Sequence, residues 1–283
     1  HHHAHIAACL AEHGHPGPAI GVALDGTGYG PDGAIWGGEV LVASVGGYER
    51  AAHLEYLPLP GGEAAIRRPY RIAWGYLLAA HGALPDLPTL AAFPAEERAI
   101  VARQVERGVN APLTSSCGRL FDAVSALAGV CPVTTFEAQA AIALELAARQ
   151  ADLARLAPYP FTVDAESQGE PGGPAVIRLG ETLAASAADV GAGRPVEEIA
   201  AAFHLTVAQM VAQAAARVRE RTGLATAALS GGAFQNRLLL RLAREALREA
   251  GFEVLTHRQA PANDGGLSLG QAVVALHAGA RGD

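Results

Sequence analysis

The sequence predicts an α/β protein in which a mainly helical segment is inserted between two sheet-forming regions. Near the C-terminus, an apolar strand over residues 224–229 is followed by a Gly-Gly turn, a helix over 237–250 and a strand over 252–256. This order is typical of a parallel α/β unit, which binds ligands where its strands end. Near the N-terminus, residues 19–24 and 34–44 have the composition of two strands joined by a glycine-rich hairpin turn.

The helical segment is expected from about residue 57 to 174. Its composition predicts helices over 64–81, 94–107 and 135–151, a serine-capped helix that begins near Thr114, and a surface loop over 158–173. Two more helices are predicted beyond it, over 196–203 and 206–221, and a last helix follows Asp264.

Composition excludes several classes of protein. A net charge of -7 argues against general binding to nucleic acid or to an anionic membrane surface. No membrane span and no secretory signal are expected, and the three cysteines have no metal-ligand spacing, so we predict a cytoplasmic protein with reduced cysteines. All 21 basic residues are arginine, which excludes a Walker-A lysine and a Schiff-base lysine.

A histidine run opens the chain and continues directly into an apolar helix predicted over residues 1–13. His1 and His5 are four residues apart and therefore share one helix face, where two imidazoles can bind one metal ion. The alternative is the remnant of a purification tag. Ala4 interrupts the run and the helix continues without a break, which favours the metal-binding interpretation.

Two aspartates follow predicted turns or strand ends. Asp25 ends the first strand, beside glycines that could present N–H groups to a phosphate, although an ordinary hairpin turn has the same composition. Asp264 opens the last helix, where free N–H groups and the helix dipole would hold a carboxylate. Both carboxylates are candidate metal ligands.

Further candidates lie in two turns. The amides of Gly231 and Gly232 precede a helix and could bind phosphate or ribose oxygens. Asp122 is either a solvated helix residue or part of a pocket wall formed with the Ser-Ser-Cys-Gly segment before it. His204 and His257 have no partner at ligand spacing, so we expect each to be structural or exposed.

Seven segments, in this order, resemble the C-terminal carbamoyl-transfer domain of the HypF hydrogenase-maturation carbamoyltransferases, which are related to TsaD-type tRNA-modifying proteins and antibiotic O-carbamoyltransferases. They are HHHAH at 1–5, DGTGYG at 25–30, WGGE at 36–39, SSCGRLFDA at 115–123, FEAQAA at 136–141, SGGAFQN at 230–236 and NDGG at 263–266.

The resemblance implies an actin/Hsp70/sugar-kinase-like fold built from RNase-H-like lobes. It also implies that the chain is a fragment, with a remnant of the first lobe at residues 1–16 and the second lobe, with its helical insertion, at 17–283. The implied metal ligands, for iron or zinc, are His1, His5, Asp25 and Asp264. The implied nucleotide-binding residues are Gly26, Thr27, Gly28, Asp122, Ser230, Gly231, Gly232 and Asn236.

The function implied by this resemblance is transfer of a carbamoyl group from carbamoyl-adenylate to the C-terminal cysteine of a HypE-like partner, for the cyanide ligands of [NiFe] hydrogenase. The intact protein would use ATP and carbamoyl phosphate. Alternatives are transfer to a sugar hydroxyl, transfer of a threonylcarbamoyl group to adenosine in tRNA, or a regulatory nucleotide- or metal-binding protein on the same fold.

Overall fold

The computed structural model describes residues 1–15, 17–164 and 173–279. The strands are β1 Ala19–Tyr29, β2 Ile35–Ser44, β3 Gly47–Leu54, β4 Leu57–Pro58, β5 Leu113–Thr114, β6 Thr162–Asp164, β7 Ala175–Arg178, β8 Thr226–Ser230 and β9 Glu253–Thr256. The helices are α1 His2–Glu12, α2 Glu63–Arg67, α3 Pro69–His81, α4 Pro88–Ala91, α5 Ala95–Arg107, α6 Cys117–Leu127, α7 Gln139–Ala148, α8 Gly180–Gly191, α9 Val196–Thr222, α10 Arg237–Glu249 and α11 Leu267–Gly279. Part of the predicted loop over 158–173 lies outside the described residues.

The chain forms two compact units. The first unit consists of the described residues of His1–Leu54, Val163–Ile177 and Ala208–Asp283, and the second consists of Glu55–Thr162 and Arg178–Val207. The second unit contains most of the predicted helical insertion and, in addition, α8 and the first part of α9. The predicted division into residues 1–16 and 17–283 stays a prediction.

A twisted sheet forms the centre of the first unit, with the strand order β6-β7-β3-β2-β1-β8-β9. β2 is antiparallel to both β1 and β3, whereas the pairs β3–β7, β1–β8 and β8–β9 are parallel. The apolar face of α1 packs on this sheet, because Ile6, Cys9 and Leu10 join a fully buried core with residues of β1, β2 and β8. The hairpin and the parallel α/β unit are both confirmed.

The glycine-rich segment after Asp25 is not the predicted turn. β1 continues through it to Tyr29, and pairing with β2 resumes at Gly28 after a register shift that begins at Leu24. A β-bulge of this kind bends the strand and redirects its side chains. The hairpin turn lies after Gly30 instead, where Gly33 has a φ of 83°. The bulge therefore sets the direction of Asp25.

Two helical predictions need correction in the second unit. The predicted helix over 64–81 breaks at Arg68, which precedes Pro69 and adopts a non-helical conformation. The two helices predicted around His204 are a single helix, α9. The His204 ring donates to the Ala200 carbonyl at 2.7 Å, so this buried polar group is satisfied by the helix and does not interrupt it. His204 is thus structural.

α9 is the one helix among the described residues whose length and composition would allow it to cross a membrane. Its most apolar window has a mean hydropathy of 1.4, and 78% of that window is buried within the protein. Burial of this kind is typical of a core helix, so α9 is weak evidence for a span. Cys9, Cys117 and Cys131 are buried and are not joined by disulfide bonds, as predicted.

Candidate metal centre

Four side chains predicted as metal ligands converge in the first unit. α1 presents His1 and His5 one turn apart, the bulge of β1 presents Asp25, and Asp264 lies at the start of the turn that leads into α11. One ligand atom from each of the four lies within 4.8 Å of the others. The sequence positions of these residues span almost the whole chain, so the fold itself assembles the cluster.

Asp25 lies closest to both imidazoles. Its Oδ2 atom is 3.1 Å from His1 Nε2 and 3.1 Å from His5 Nε2. The Oδ1 atom of Asp264 lies slightly farther away, at 3.6 Å from His1 Nε2 and 3.4 Å from His5 Nε2. Two imidazole nitrogens and two carboxylate oxygens therefore surround one point.

The cluster is buried on one side and open on the other. The side chain of His5 is 1% exposed, whereas that of Asp264 is 68% exposed. The hydrogen bond with Asp25 raises the pKa of His1, although burial opposes this effect. Burial alone would raise the pKa of Asp25, but the imidazoles of His1 and His5 outweigh burial and lower it. Asp25 is therefore a carboxylate at neutral pH.

The donor set suits a divalent transition metal. Although His5 Nε2 is close to both carboxylates, it has no hydrogen-bond partner among the described residues. A buried ring nitrogen without a partner is costly unless something binds it. Two histidines and two carboxylates are common ligands of zinc and of non-haem iron, and this set does not select between them. The four residues fit the predicted metal.

Backbone N–H groups fix the orientation of Asp25. The amide of Gly26 donates to its Oδ1 atom at 2.8 Å, and the amide of Gly232 donates to the same atom at 3.2 Å. Because Oδ1 is used in this way, Oδ2 is the oxygen that faces the two histidines. Outer hydrogen bonds of this kind commonly orient metal-binding carboxylates.

Two glycines let the backbone approach closely enough to build the cluster. A Cβ atom at Gly28 would lie 2.4 Å from Cε1 of His2 and 2.6 Å from Cδ2 of His1. Gly231 has a φ of 100°, and a Cβ atom there would lie 2.2 Å from the Leu24 carbonyl oxygen. A side chain at Gly28 would displace the imidazole rings of His1 and His2, and one at Gly231 would require the backbone before Asp25 to move.

Asp264 is held differently from the prediction. The side chain that caps the turn is that of Asn263, whose Oδ1 accepts from the Gly265 amide at 3.2 Å. The Asp264 carboxylate is left exposed beside the histidines. This placement keeps it available as a ligand and leaves the outer side of the cluster accessible.

The predicted nucleotide-binding residues fall into both units. Gly26, Thr27 and Gly28 belong to the bulged part of β1, and Ser230, Gly231, Gly232 and Asn236 form the segment between β8 and α10. The amide of Gly231 donates to the Ala262 carbonyl at 2.9 Å and that of Gly232 to Asp25, so both amides already have acceptors within the protein. The Asn236 side chain caps α10 through the Leu239 amide. The nucleotide role of these residues stays a prediction.

Asp122 lies in α6 of the second unit and is not a solvated residue. It is 2% exposed, and its carboxylate pairs with Arg119 at 2.9 Å. Burial raises the pKa of Asp122, and the Arg119 guanidinium opposes this effect. A buried carboxylate with a cationic partner is more typical of a pocket wall or a core ion pair than of a helix surface.

Glu12, His257 and His2 lie beside the cluster and were not identified as functional from the sequence, whereas Ser230 was predicted only as a nucleotide-binding residue. Ser230 Oγ lies 2.8 Å from His257 Nε2 and 3.5 Å from His5 Nδ1, and His257 Nδ1 lies 3.3 Å from Glu12 Oε1. Burial lowers the pKa of His257, so its ring is neutral at neutral pH. His2 is also buried beside the cluster, and neither of its ring nitrogens has a partner among the described residues.

Glu12 stabilises the fold in a way that depends on pH. Burial alone would raise its pKa, but N–H groups of Arg258, Ala260 and Gln259 and the ring of His257 lower it from 4.5 to about 2. Its contribution to stability is therefore complete above pH 4.5 and is lost as the pH falls towards 2. We expect Glu12→Gln to lower the free energy of unfolding at pH 7 by roughly 1–3 kcal/mol.

The measurement is urea unfolding of the wild type and the variant at pH 7 and at several pH values below 4.5. The difference between the two proteins should shrink steadily as the pH falls, because the wild-type carboxylate becomes protonated. A difference that stays constant down to the lowest pH at which both proteins fold would contradict the assigned ionisation.

Known proteins of one family are similar to this chain. The family described as "Carbamoyltransferase, Kae1-like Domain, second subdomain" matches residues 21–271. Carbamoyltransferase HypF of Rhodobacter capsulatus is 43% identical over 97% of this chain and 35% of its own length. Carbamoyltransferase HypF2 of Cupriavidus necator is also 43% identical, over 98% of this chain and 36% of its own length. The chain thus spans about a third of the length of these relatives.

Two solved structures have a fold similar to that of this chain. A structure described as full-length HypF in the phosphate- and nucleotide-bound form matches with a TM-score of 0.87 and 40% identity, over 97% of this chain and 42% of that one. HypF of T. kodakarensis matches with a TM-score of 0.81 and 31% identity, over 98% of this chain and 36% of that one. The predicted fold class is confirmed, and the chain belongs to the HypF carbamoyltransferase family, matching the second subdomain of its Kae1-like domain.

Proposed function

We propose that this chain binds a divalent metal ion, iron or zinc, and transfers a carbamoyl group from carbamoyl-adenylate to the C-terminal cysteine thiol of a HypE-like protein. The observation that carries the proposal is the convergence of His1, His5, Asp25 and Asp264 within 4.8 Å. Membership of the HypF family supports the carbamoyl group as the one transferred. The product would serve synthesis of the cyanide ligands of [NiFe] hydrogenase.

Each ligand has a separate task in this proposal. His1, His5 and Asp25 form the buried side of the cluster and would hold the ion, with Asp25 supplying the negative charge that the two imidazoles lack. The exposed Asp264 closes the cluster on the side from which substrate can approach. When bound, the ion would act as a Lewis acid towards the carbamoyl carbonyl or the adenylate phosphate.

The predicted nucleotide-binding residues would bind the carbamoyl donor, carbamoyl-adenylate. We propose that the segments Gly26–Gly28 and Ser230–Asn236 of the first unit bind the adenylate, while the nucleotide role of Asp122, which lies in the second unit, stays a prediction. Support comes from the related HypF structure, which is described as phosphate- and nucleotide-bound. The attacking nucleophile is the partner's thiolate, since Cys9 and Cys117 are fully buried and burial raises the pKa of Cys9 to about 12. ATP and carbamoyl phosphate would supply the carbamoyl-adenylate.

The test incubates the chain with Zn²⁺ or Fe²⁺, carbamoyl-adenylate and one acceptor at a time. A peptide ending in cysteine and an amino sugar are the two acceptors, and mass spectrometry detects the added carbamoyl group. We expect a carbamoylated thiol with the wild type and a large loss of product with Asp264→Ala. Product on the sugar alone would place the activity with the O-carbamoyltransferases. Binding of metal and nucleotide without product on either acceptor would contradict transfer.

A further inference from the structure

A chain of hydrogen bonds runs from the end of α1 to the metal-facing histidine. Glu12 Oε1 lies 3.3 Å from His257 Nδ1, His257 Nε2 lies 2.8 Å from Ser230 Oγ, and Ser230 Oγ lies 3.5 Å from His5 Nδ1. All four side chains are largely or fully shielded from solvent. The chain ends on the nitrogen of His5 that faces away from the carboxylates of the cluster.

The direction of each hydrogen bond follows from Glu12. Its two oxygens accept N–H groups of Arg258, Gln259 and Ala260, at 2.6–3.3 Å, so the group is an ionised acceptor. An ionised carboxylate can only accept, and His257 Nδ1 must therefore carry a hydrogen atom. A neutral imidazole with hydrogen on Nδ1 has a free lone pair on Nε2.

The Ser230 hydroxyl determines which nitrogen of His5 carries a hydrogen atom. Its hydroxyl hydrogen points to the free Nε2 of His257, the nearer of two acceptors, because the Ala262 carbonyl is 3.5 Å away. The Ser230 oxygen is then left as an acceptor for His5 Nδ1. With hydrogen on Nδ1, His5 directs the lone pair of its Nε2 towards Asp25 and Asp264.

We propose that Ser230, His257 and Glu12 are positioning residues that hold His5 in the tautomer with hydrogen on Nδ1, so that Nε2 is the metal ligand. The proposal rests on the proposed metal-dependent function and gives the Ser230 hydroxyl a role of its own, beside the adenylate binding proposed for the segment Ser230–Asn236. Metal-binding histidines commonly donate their second ring N–H to an outer partner, which fixes the tautomer and the ring orientation. Here the outer partner is a hydroxyl supported by a histidine and a carboxylate.

The same order of groups, serine, histidine and carboxylate, occurs in hydrolases with a serine nucleophile. The surroundings of Ser230 argue against its acting as a nucleophile. Ser230 is 0% exposed, and its Oγ atom lies between the two imidazoles and the Ala262 carbonyl. A hydroxyl enclosed in this way cannot reach a substrate carbonyl, whereas it does reach a ligand histidine.

The experiment compares the wild type with Ser230→Ala and Glu12→Gln, each as the full 283-residue chain. Zn²⁺ affinity is measured by competition with a chromogenic chelator at pH 7. We expect Ser230→Ala to weaken Zn²⁺ binding roughly 10- to 100-fold, the usual effect of losing an outer partner. Glu12→Gln lies two hydrogen bonds further away, so we expect a smaller loss, of a few-fold.

A second readout reports the tautomer directly. Long-range ¹H–¹⁵N NMR spectra of histidine rings distinguish hydrogen on Nδ1 from hydrogen on Nε2, with or without metal. We expect His257 to carry hydrogen on Nδ1 in the wild type, and His5 to carry it on Nδ1 once Zn²⁺ occupies the cluster, with the Nδ1–H resonance of His5 shifted in Ser230→Ala because its acceptor is lost. This change would not follow from a general loss of stability, which circular dichroism monitors separately.

The matched control is His13→Gln. His13 lies at the end of α1, and its Nε2 bonds to the carbonyl of Thr256, the residue before His257. The variant therefore removes a histidine hydrogen bond at the same place without breaking the chain to His5, and Zn²⁺ affinity should stay within a few-fold of the wild type.

The possible outcomes distinguish a failure of the positioning role from a failure of the metal site. Unchanged Zn²⁺ affinity in Ser230→Ala, or hydrogen on Nε2 of His5 in the Zn²⁺-bound wild type, would overturn the positioning role while leaving metal binding by the cluster intact. Failure of the wild type to bind Zn²⁺ or Fe²⁺ would overturn the metal site and the ligand role of His5 together.

Discussion

Asp25→Asn is expected to abolish metal binding and, with it, carbamoyl transfer. The variant keeps the size of the side chain and leaves an oxygen for the amides of Gly26 and Gly232, so the bulge in β1 should survive. What it removes is the negative charge 3.1 Å from both His1 and His5. Because a direct ligand is lost, we expect Zn²⁺ affinity to fall by more than the roughly 10- to 100-fold typical of an outer partner.

The measurement is chelator competition for Zn²⁺, combined with NMR titration of the histidine rings. The hydrogen bond with Asp25 is the largest cause of the raised pKa of His1, so this pKa should fall in the variant. Asp32→Asn is the control, since Asp32 lies in the same hairpin but bonds to Trp36 and Arg50. Wild-type Zn²⁺ affinity in Asp25→Asn would contradict the metal centre, whereas a loss in Asp32→Asn would indicate a general effect on the hairpin.

The ligands of the metal centre were predictable because their chemistry is local. His1 and His5 share a helix face at a spacing that any helix provides, and Asp25 and Asp264 each follow a sequence pattern that marks a turn or the end of a strand. The helix formed close to its predicted bounds and the turn formed at Asn263 and Asp264, whereas the strand continues past Asp25 to Tyr29. The motif resemblance then joined segments that sequence spacing alone could not connect.

The supporting residues were not predictable from such patterns. His257 and Glu12 are 245 positions apart and meet because α1 packs beside the loop that follows β9. Neither residue has a local partner, and a single histidine after a strand is more often structural than functional. The sequence contained one partial indication of a special role for Glu12. This acidic residue occupies the last turn of a helix, where a cationic residue would be usual.

Predictions based on residue preference failed at two places where a specific contact supports a different structure. The glycines after Asp25 have the composition of a turn, yet the sheet continues through them because α1 approaches closely at Gly28. The break predicted near His204 did not occur because the imidazole bonds to a carbonyl of its own helix. In both places the local sequence is compatible with more than one structure, and packing selects one of them.

Gly270→Ala is expected to separate α1 from α11 and to disturb the metal centre without touching a ligand. A Cβ atom at this position would lie 1.9 Å from the Ala4 carbonyl oxygen and 2.6 Å from its carbonyl carbon. These are backbone atoms of the helix turn that carries His1 and His5, so they cannot rotate away as a side chain would. Overpacking of this kind usually costs roughly 1–3 kcal/mol, and relief requires α1 or α11 to shift.

We therefore expect a lower free energy of unfolding by urea and, in the protein that still folds, weaker Zn²⁺ binding, because any shift moves His1 and His5 relative to Asp264. Gly279→Ala is the matched control: it lies at the end of the same helix, and a Cβ atom there meets no atom within 4 Å. That variant should be neutral or slightly stabilising, since alanine is the better helix former. Equal stability and equal Zn²⁺ affinity in Gly270→Ala and the wild type would contradict the close crossing of the two helices, and with it the way this fold joins the two ends of the chain into one site.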